Sequence, residues 1–469
     1  MSDVTLVHIS LSRPRTVPSG ILYLAAVLER AGYAVDVRDM YVESYRDLDP
    51  GRFLSLLEGC ADIVGFGCMS DSLPFVINGI EAIKERYPGT TVILGGPGPS
   101  GVAREIMRSF PFIDIIVDGE GEETLREVVD CLTGGHRSDL RLVKGIYFRN
   151  GGEVLETAAR GRITDLDSLP LPAYEKVPMD EYPLVNVVFS RGCPYRCTFC
   201  DVAPMWKRRN YRRSVEGVVD EMQYLKERYG KTEFEFTDET FVLHGDIIGD
   251  FCRELGTRCA DVTWACTGRI NLITGGLLEE MCSHGCRGIF YGIESGSDAV
   301  LERIKKDFTA GRAVEIVHET LERAHVVASF VWGFPFETVE DLLNTLLLMV
   351  YLSHLGVDTR LNRLVPFAQT PLYAEYGDQL VWRDEWDSYS DTVPFQAAGY
   401  RREIMDIIRS HPGAFPEFYW FPSANHAEKC GLVDRFNAHV HGSEWPASAP
   451  SAPDGSGARV ACGFDGKMP

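Results

Sequence analysis

Two runs of alternating strand and helix patterns, parted by a proline- and glycine-rich stretch, constrain this chain more than any other feature. In the first run, short apolar strands are read at Val4–Ser10, Ala34–Asp39, Asp62–Gly67, Thr91–Gly95 and Ile113–Asp118. Helical spacing falls between and after them, first at Ile21, Leu24, Ala25 and Leu28, with Ser19 as the expected N-cap and Gly32 as the stop. Five such units imply a doubly wound parallel sheet, which takes its ligands beyond the carboxyl ends of its strands.

The second run starts at Val185 and repeats a strand five more times, at 233–237, 262–266, 288–293, 328–333 and 361–366. Six βα units predict a partial (β/α)6 barrel with its chemistry at the carboxyl strand ends. The α/β organisation expected is therefore a sheet domain over 1–140, a linker or appendage over 141–182 and the barrel over 183–375. An aromatic C-terminal cap follows over 376–443, then a disordered Pro-Ser-Ala-Gly tail over 444–469. A length of 469 residues calls for such a division.

With 47 Lys and Arg against 68 Asp and Glu, the net charge of -21 disfavours nucleic acid or an anionic membrane as partner. No uncharged apolar run reaches the roughly 18 residues of a membrane span. The N-terminus carries neither a basic stretch nor a long apolar core, so no signal peptide is expected and the cytoplasm is the expected compartment. In that reducing setting the 13 cysteines read as metal ligands, catalytic groups or buried thiols, not as disulfides.

Directly after the first barrel strand stands Arg191-Gly192-Cys193-Pro194-Tyr195-Arg196-Cys197-Thr198-Phe199-Cys200, a C-x3-C-x2-C loop. Three thiolates on one tight loop can hold three irons of a [4Fe–4S] cube, leaving the fourth iron open for another ligand. A zinc site with a borrowed fourth ligand is the alternative. Cys282 and Cys286, and the irregularly spaced Cys252, Cys259 and Cys266, read either as structural thiols or as a second cluster.

The cysteine loop, its aromatic Phe199 and its place in a partial barrel resemble the radical S-adenosylmethionine (SAM) superfamily. The resemblance implies that Cys193, Cys197 and Cys200 hold the cluster and that SAM chelates the open iron. It implies SAM contacts from Asp238 and Glu239 after the second strand, from Arg269 toward the SAM carboxylate and from Glu294 and Ser295 after the fourth strand. Gly333, after the fifth, would lie beside the adenine. A family motif ending in Thr-Pro-Leu-Tyr is present at 370–373, but Gln369 replaces its glycine and no role is assigned there.

The first run resembles the cobalamin-binding domain found ahead of many radical SAM barrels. The matching pieces are Pro18-Ser19-Gly20, Leu94-Gly95-Gly96-Pro97 and Asp118-Gly119-Glu120-Gly121-Glu122. Cobalamin contacts are expected from Ser19, Gly20, Ser70, Ser72, Gly95 and Gly96, the paired glycines letting backbone approach a bulky ligand. No Asp-x-His-x-x-Gly motif follows the first strand, and His8 lies within it. The cobalt is therefore expected to lack a protein histidine ligand.

Together these features imply a cobalamin-dependent radical SAM enzyme. The first reading is a methyltransferase that uses a 5′-deoxyadenosyl radical and methylcobalamin on an unactivated carbon of a small-molecule, lipid or peptide substrate. An electron donor such as flavodoxin or ferredoxin would serve it. A cyclase or rearrangement enzyme that moves no methyl is the second reading, and a non-catalytic corrinoid-binding or electron-carrying protein the third. The stretch His411–His426 either shapes the substrate pocket or simply packs.

Overall fold

The computed structural model describes residues 2–10, 16–41, 50–383 and 402–442. The expected tail, 444–469, lies outside them, as does the stretch 384–401 of the expected cap.

The first domain is one seven-stranded sheet in the order β2-β1-β3-β4-β5-β6-β7. Its strands are β1 (Val4–Ser10), β2 (Val35–Tyr41), β3 (Ile63–Gly67), β4 (Thr91–Gly95), β5 (Ile115–Val117), β6 (Ile146–Asn150) and β7 (Glu153–Glu156). The first five run parallel. Strands β3 to β5 are nearly all buried and carry Ile, Val, Leu and Phe without alternation, as strands covered on both faces do. The last two run antiparallel and extend the sheet past residue 140. The stretch expected as a linker or appendage thus includes a hairpin that extends the first sheet. Gly151 and Gly152, both at positive φ, make its turn. The order 2-1-3 puts the topological switch point between β1 and β3.

The barrel is a six-stranded open parallel sheet. Its strands are β8 (Val185–Asn186), β11 (Glu233–Phe236), β12 (Thr263–Gly268), β13 (Cys286–Glu294), β14 (His325–Trp332) and β15 (Asp358–Arg363). The expected first strand is cut short. The backbone N–H groups of Phe189 and Ser190 donate to the Asp238 carboxylate instead of to a neighbouring strand. The chain then forms a separate ribbon, β9 (Ser190–Arg191) against β10 (Tyr211–Arg212). The last strand ends at Arg363, three residues before the expected Pro366.

Ser19 does not cap the first helix as expected. Pro18 is the N-cap residue, and the Ser19 hydroxyl donates to the Asn186 carbonyl, 3.1 Å away in the barrel. The C-terminal extension also departs from a plain barrel cap. Ile404, Ile408, Phe415 and Phe418 join the front-domain core with Val7, Phe66 and Phe75. The helix His426–Gly442 packs on the barrel helix Val339–His354. The extension therefore staples both domains. Among the described residues no helix is long and apolar enough to cross a membrane.

Candidate functional site

One cavity of about 2100 Å³ opens between the domains. Its wall takes in the carboxyl ends of β3 and β4, the cysteine loop, the ends of β11, β12 and β13, and Glu417 of the extension. Twelve of the fifteen expected site residues line it: Ser19, Gly20, Ser70, Gly95, Gly96, Cys193, Cys197, Cys200, Asp238, Glu239, Arg269 and Glu294. Three do not. Ser72 is buried and bonds Met69 at the start of its own helix. Ser295 is buried against Thr345, 3.1 Å away. Gly333 donates its N–H to Glu337 at 3.0 Å.

Gly192 explains how the cysteine loop leaves β9. Its φ of +97° lies where side chains are disfavoured, and a Cβ there would run into the Arg209 carbonyl and Trp206. Its N–H donates to Glu239 at 2.8 Å. Asp238 and Glu239 thus hold the backbone around the loop, a job in addition to the ligand contact expected of them. Burial pushes Asp238 up to about 7, against the pull of its Ser190 hydrogen bond, and raises Glu239 as well.

Burial and then Asp201 raise the Cys200 thiol most, and Cys197 and Cys193 add to that rise. Thr240 donates to Cys193 Sγ at 3.1 Å. Arg269 reaches Cys197 Sγ at 3.7 Å, stacks 3.7 Å over the Tyr195 ring and holds the Lys306 carbonyl at 2.6 Å. Its Nε is buried without a hydrogen-bond partner among the described residues. A buried guanidinium with one donor open beside three thiols fits a carboxylate-bearing ligand of a metal cluster on that loop. Three cysteine thiols on one loop are the donor set that a [4Fe–4S] cluster takes, and they fit it.

Glu294 sits at φ +71° where β13 slips register against β14. A non-glycine residue there is a strained conformation that clusters at functional sites. It aims the carboxylate at Lys306 Nζ, 3.0 Å away, and both residues line the cavity.

The front domain locks onto the loop through Glu120. Its carboxylate takes Arg162 at 2.9 Å, Arg191 at 3.1 Å and the Ile163 N–H at 2.8 Å, while Glu122 takes Arg191 at 2.7 Å. Burial alone would lower Arg191; the two glutamates raise it instead and hold it cationic. Gly95 and Gly96 line the cavity, but Gly96 is glycine for a local reason: at φ +97° its Cβ would stand 2.7 Å from the Cys68 carbonyl. His8 bonds Asp39 at 2.7 Å across the β1–β2 pair.

Sequence reasoning named no role for Glu120, Lys306 or Glu417. Glu120 stood within the matching segment Asp118–Glu122, and Glu417 is a single charge inside the apolar run Ala414-Phe-Pro-Glu417-Phe-Tyr-Trp-Phe421; Lys306 carried no signal.

Comparison with known proteins follows this division. Residues 9–129 match the B12 binding domain and residues 187–349 the radical SAM superfamily. An uncharacterised methyltransferase of Pyrococcus horikoshii is 29% identical over 416 residues, 86% of this chain and 88% of that protein. The anaerobic magnesium-protoporphyrin IX monomethyl ester cyclase of Cereibacter sphaeroides is 29% identical over 426 residues, 84% of this chain and 66% of that one. Among solved structures, the radical S-adenosylmethionine methyltransferase TsrM from Kitasatospora setae, with cobalamin and a [4Fe-4S] cluster bound, superposes with a TM-score of 0.71. It covers 94% of this chain and 92% of its own at 18% identity, a likeness of fold.

Proposed function

We propose that this chain, which belongs to the radical SAM enzymes carrying a B12-binding domain, is a methyltransferase acting on an unactivated carbon of a small-molecule, lipid or peptide substrate. The observation that carries the reading is one continuous cavity that joins the three-cysteine loop to the carboxyl strand ends of the front sheet. The methyltransferase relative supports methylation. When bound, the family's [4Fe–4S] cluster, SAM and cobalamin supply one-electron SAM cleavage and methyl carriage.

The chain's own residues bind and orient. Cys193, Cys197 and Cys200 present the thiols, while Glu239 and Gly192 fix the loop that carries them. Arg269 offers its open Nε–H to a carboxylate. Glu294, tied to Lys306, presents a carboxylate from β13. Ser19, Gly20, Ser70, Gly95 and Gly96 form the opposite wall. Arginine–glutamate pairs tie the front domain to the start of the cysteine loop at the cavity wall.

Anaerobic reconstitution with iron, sulfide and hydroxocobalamin, followed by addition of SAM and a reductant, tests this. Release of S-adenosylhomocysteine is expected, and in the presence of substrate 5′-deoxyadenosine, methionine and a product heavier by one CH2. A cobalamin-replete protein that releases no S-adenosylhomocysteine would refute methyl transfer. The cyclase relative favours a second reading, radical cyclisation or rearrangement. That reading expects 5′-deoxyadenosine with an unchanged substrate carbon count. An electron donor such as flavodoxin or ferredoxin belongs to both readings.

A further inference from the structure

We propose that Glu417 makes the C-terminal extension part of the cobalamin site, its open carboxyl oxygen meeting a carboxamide on the edge of the corrin. The proposal rests on the reading that cobalamin occupies the cavity.

Glu417 lies in the short turn Pro416–Phe418, is 5% exposed and lines the cavity. Its Oε2 has no hydrogen-bond partner among the described residues. The Ser70 hydroxyl interacts with the carboxyl, and Asp201 adds a second acid nearby. Arg363 does not neutralise it. That guanidinium holds the backbone carbonyls of Glu417 and Tyr419, at 3.0 and 2.7 Å, and stacks 4.6 Å from Trp420. The turn is thereby fixed and its acid aimed, with one oxygen open. A buried acceptor left open costs free energy that a ligand group can recover.

The position of that oxygen narrows the ligand. Ser70 follows β3, at the β1–β3 switch point where a sheet of this order holds its cofactor. Burial pushes the Glu417 carboxyl up to about 8, so both of its forms are accessible near neutrality. An ammonium group would serve only the ionised form. A carboxamide serves both, giving N–H to the carboxylate or accepting from the acid. The corrin ring of cobalamin is edged with carboxamides.

The test is hydroxocobalamin titration of the full reconstituted chain, read by corrin absorbance, for the wild type, Glu417→Met and Glu417→Gln. Methionine fills the space without polar atoms, whereas glutamine keeps an acceptor and a donor. Glu417→Met is expected to weaken binding at least tenfold at unchanged iron content, with Glu417→Gln within about threefold of the wild type. Equal affinity in the wild type and Glu417→Met overturns the proposal. A wild type that takes up no hydroxocobalamin overturns the cobalamin reading and this inference with it. Should Glu417→Met fail to fold, Glu417→Asp, which withdraws the carboxyl by one methylene, decides by the same titration: several-fold weakening supports the proposal and unchanged affinity sinks it.

Discussion

At the scale of single residues, the thiols and Arg269 make the sharpest commitments. Cys197→Ala is expected to abolish the cluster's brown absorbance and 5′-deoxyadenosine formation together; an unchanged spectrum would remove Cys197 from the ligand set. Arg269→Lys is expected to keep the absorbance and weaken SAM binding about tenfold or more, because an ammonium cannot reproduce the guanidinium's fixed fork of donors. A SAM dissociation constant equal to the wild type's would show that the open Nε has another use. The cysteine loop was legible in the sequence because its spacing lies within ten residues. Lys306 was not. It meets Glu294 only through a register slip in β13 and a strained backbone, which residue spacing does not reveal.

Among elements, the loop and its clamp carry the prediction. Glu120→Ala removes the carboxylate paired with the mostly buried Arg162 and strips one from Arg191. Breaking such a pair costs about 3 kcal/mol or more. A loss of unfolding free energy of that size, read from urea titration, is expected, and a loss of less than about 1 kcal/mol would mean that the pairs contribute little. Gly192→Ala is expected to lower iron content after reconstitution, since its φ of +97° and the Arg209 carbonyl leave no room for a methyl group. Most strands were readable from apolar runs between turn residues, including all five of the first parallel set. The split of β8 from β9 was not, because it turns on Asp238 capturing two backbone donors some fifty positions earlier. The hairpin of β6 and β7, read only as part of a linker or appendage, was not legible as strands for a similar reason. Its strands alternate weakly, and only the edge of β5 gives them a place.

For the whole molecule, the buried acids predict how stability varies with pH. Burial pushes Glu417 up to about 8 and Glu337 up to about 7, the latter partly offset by its Gly333 hydrogen bond and by Lys429. Both folded values exceed the unfolded ones. The stability they contribute is therefore complete below the ordinary carboxylate range and is lost as pH rises toward 7 and 8. The melting temperature of the cofactor-free protein is expected to fall between about pH 5 and pH 8, and Glu417→Gln to flatten that slope. A melting temperature that climbs over this interval in the wild type would contradict the burial of these groups. The same architecture has a consequence in time. The cavity's walls come from residues near 20, near 95, near 200 and at 417, and a ribosome makes them in that order. While the barrel is emerging, the chamber stands open on the side that Glu417 will close. A cofactor that needs every wall is thus taken up after synthesis has passed the last of them, which makes loading a late event in the life of each molecule.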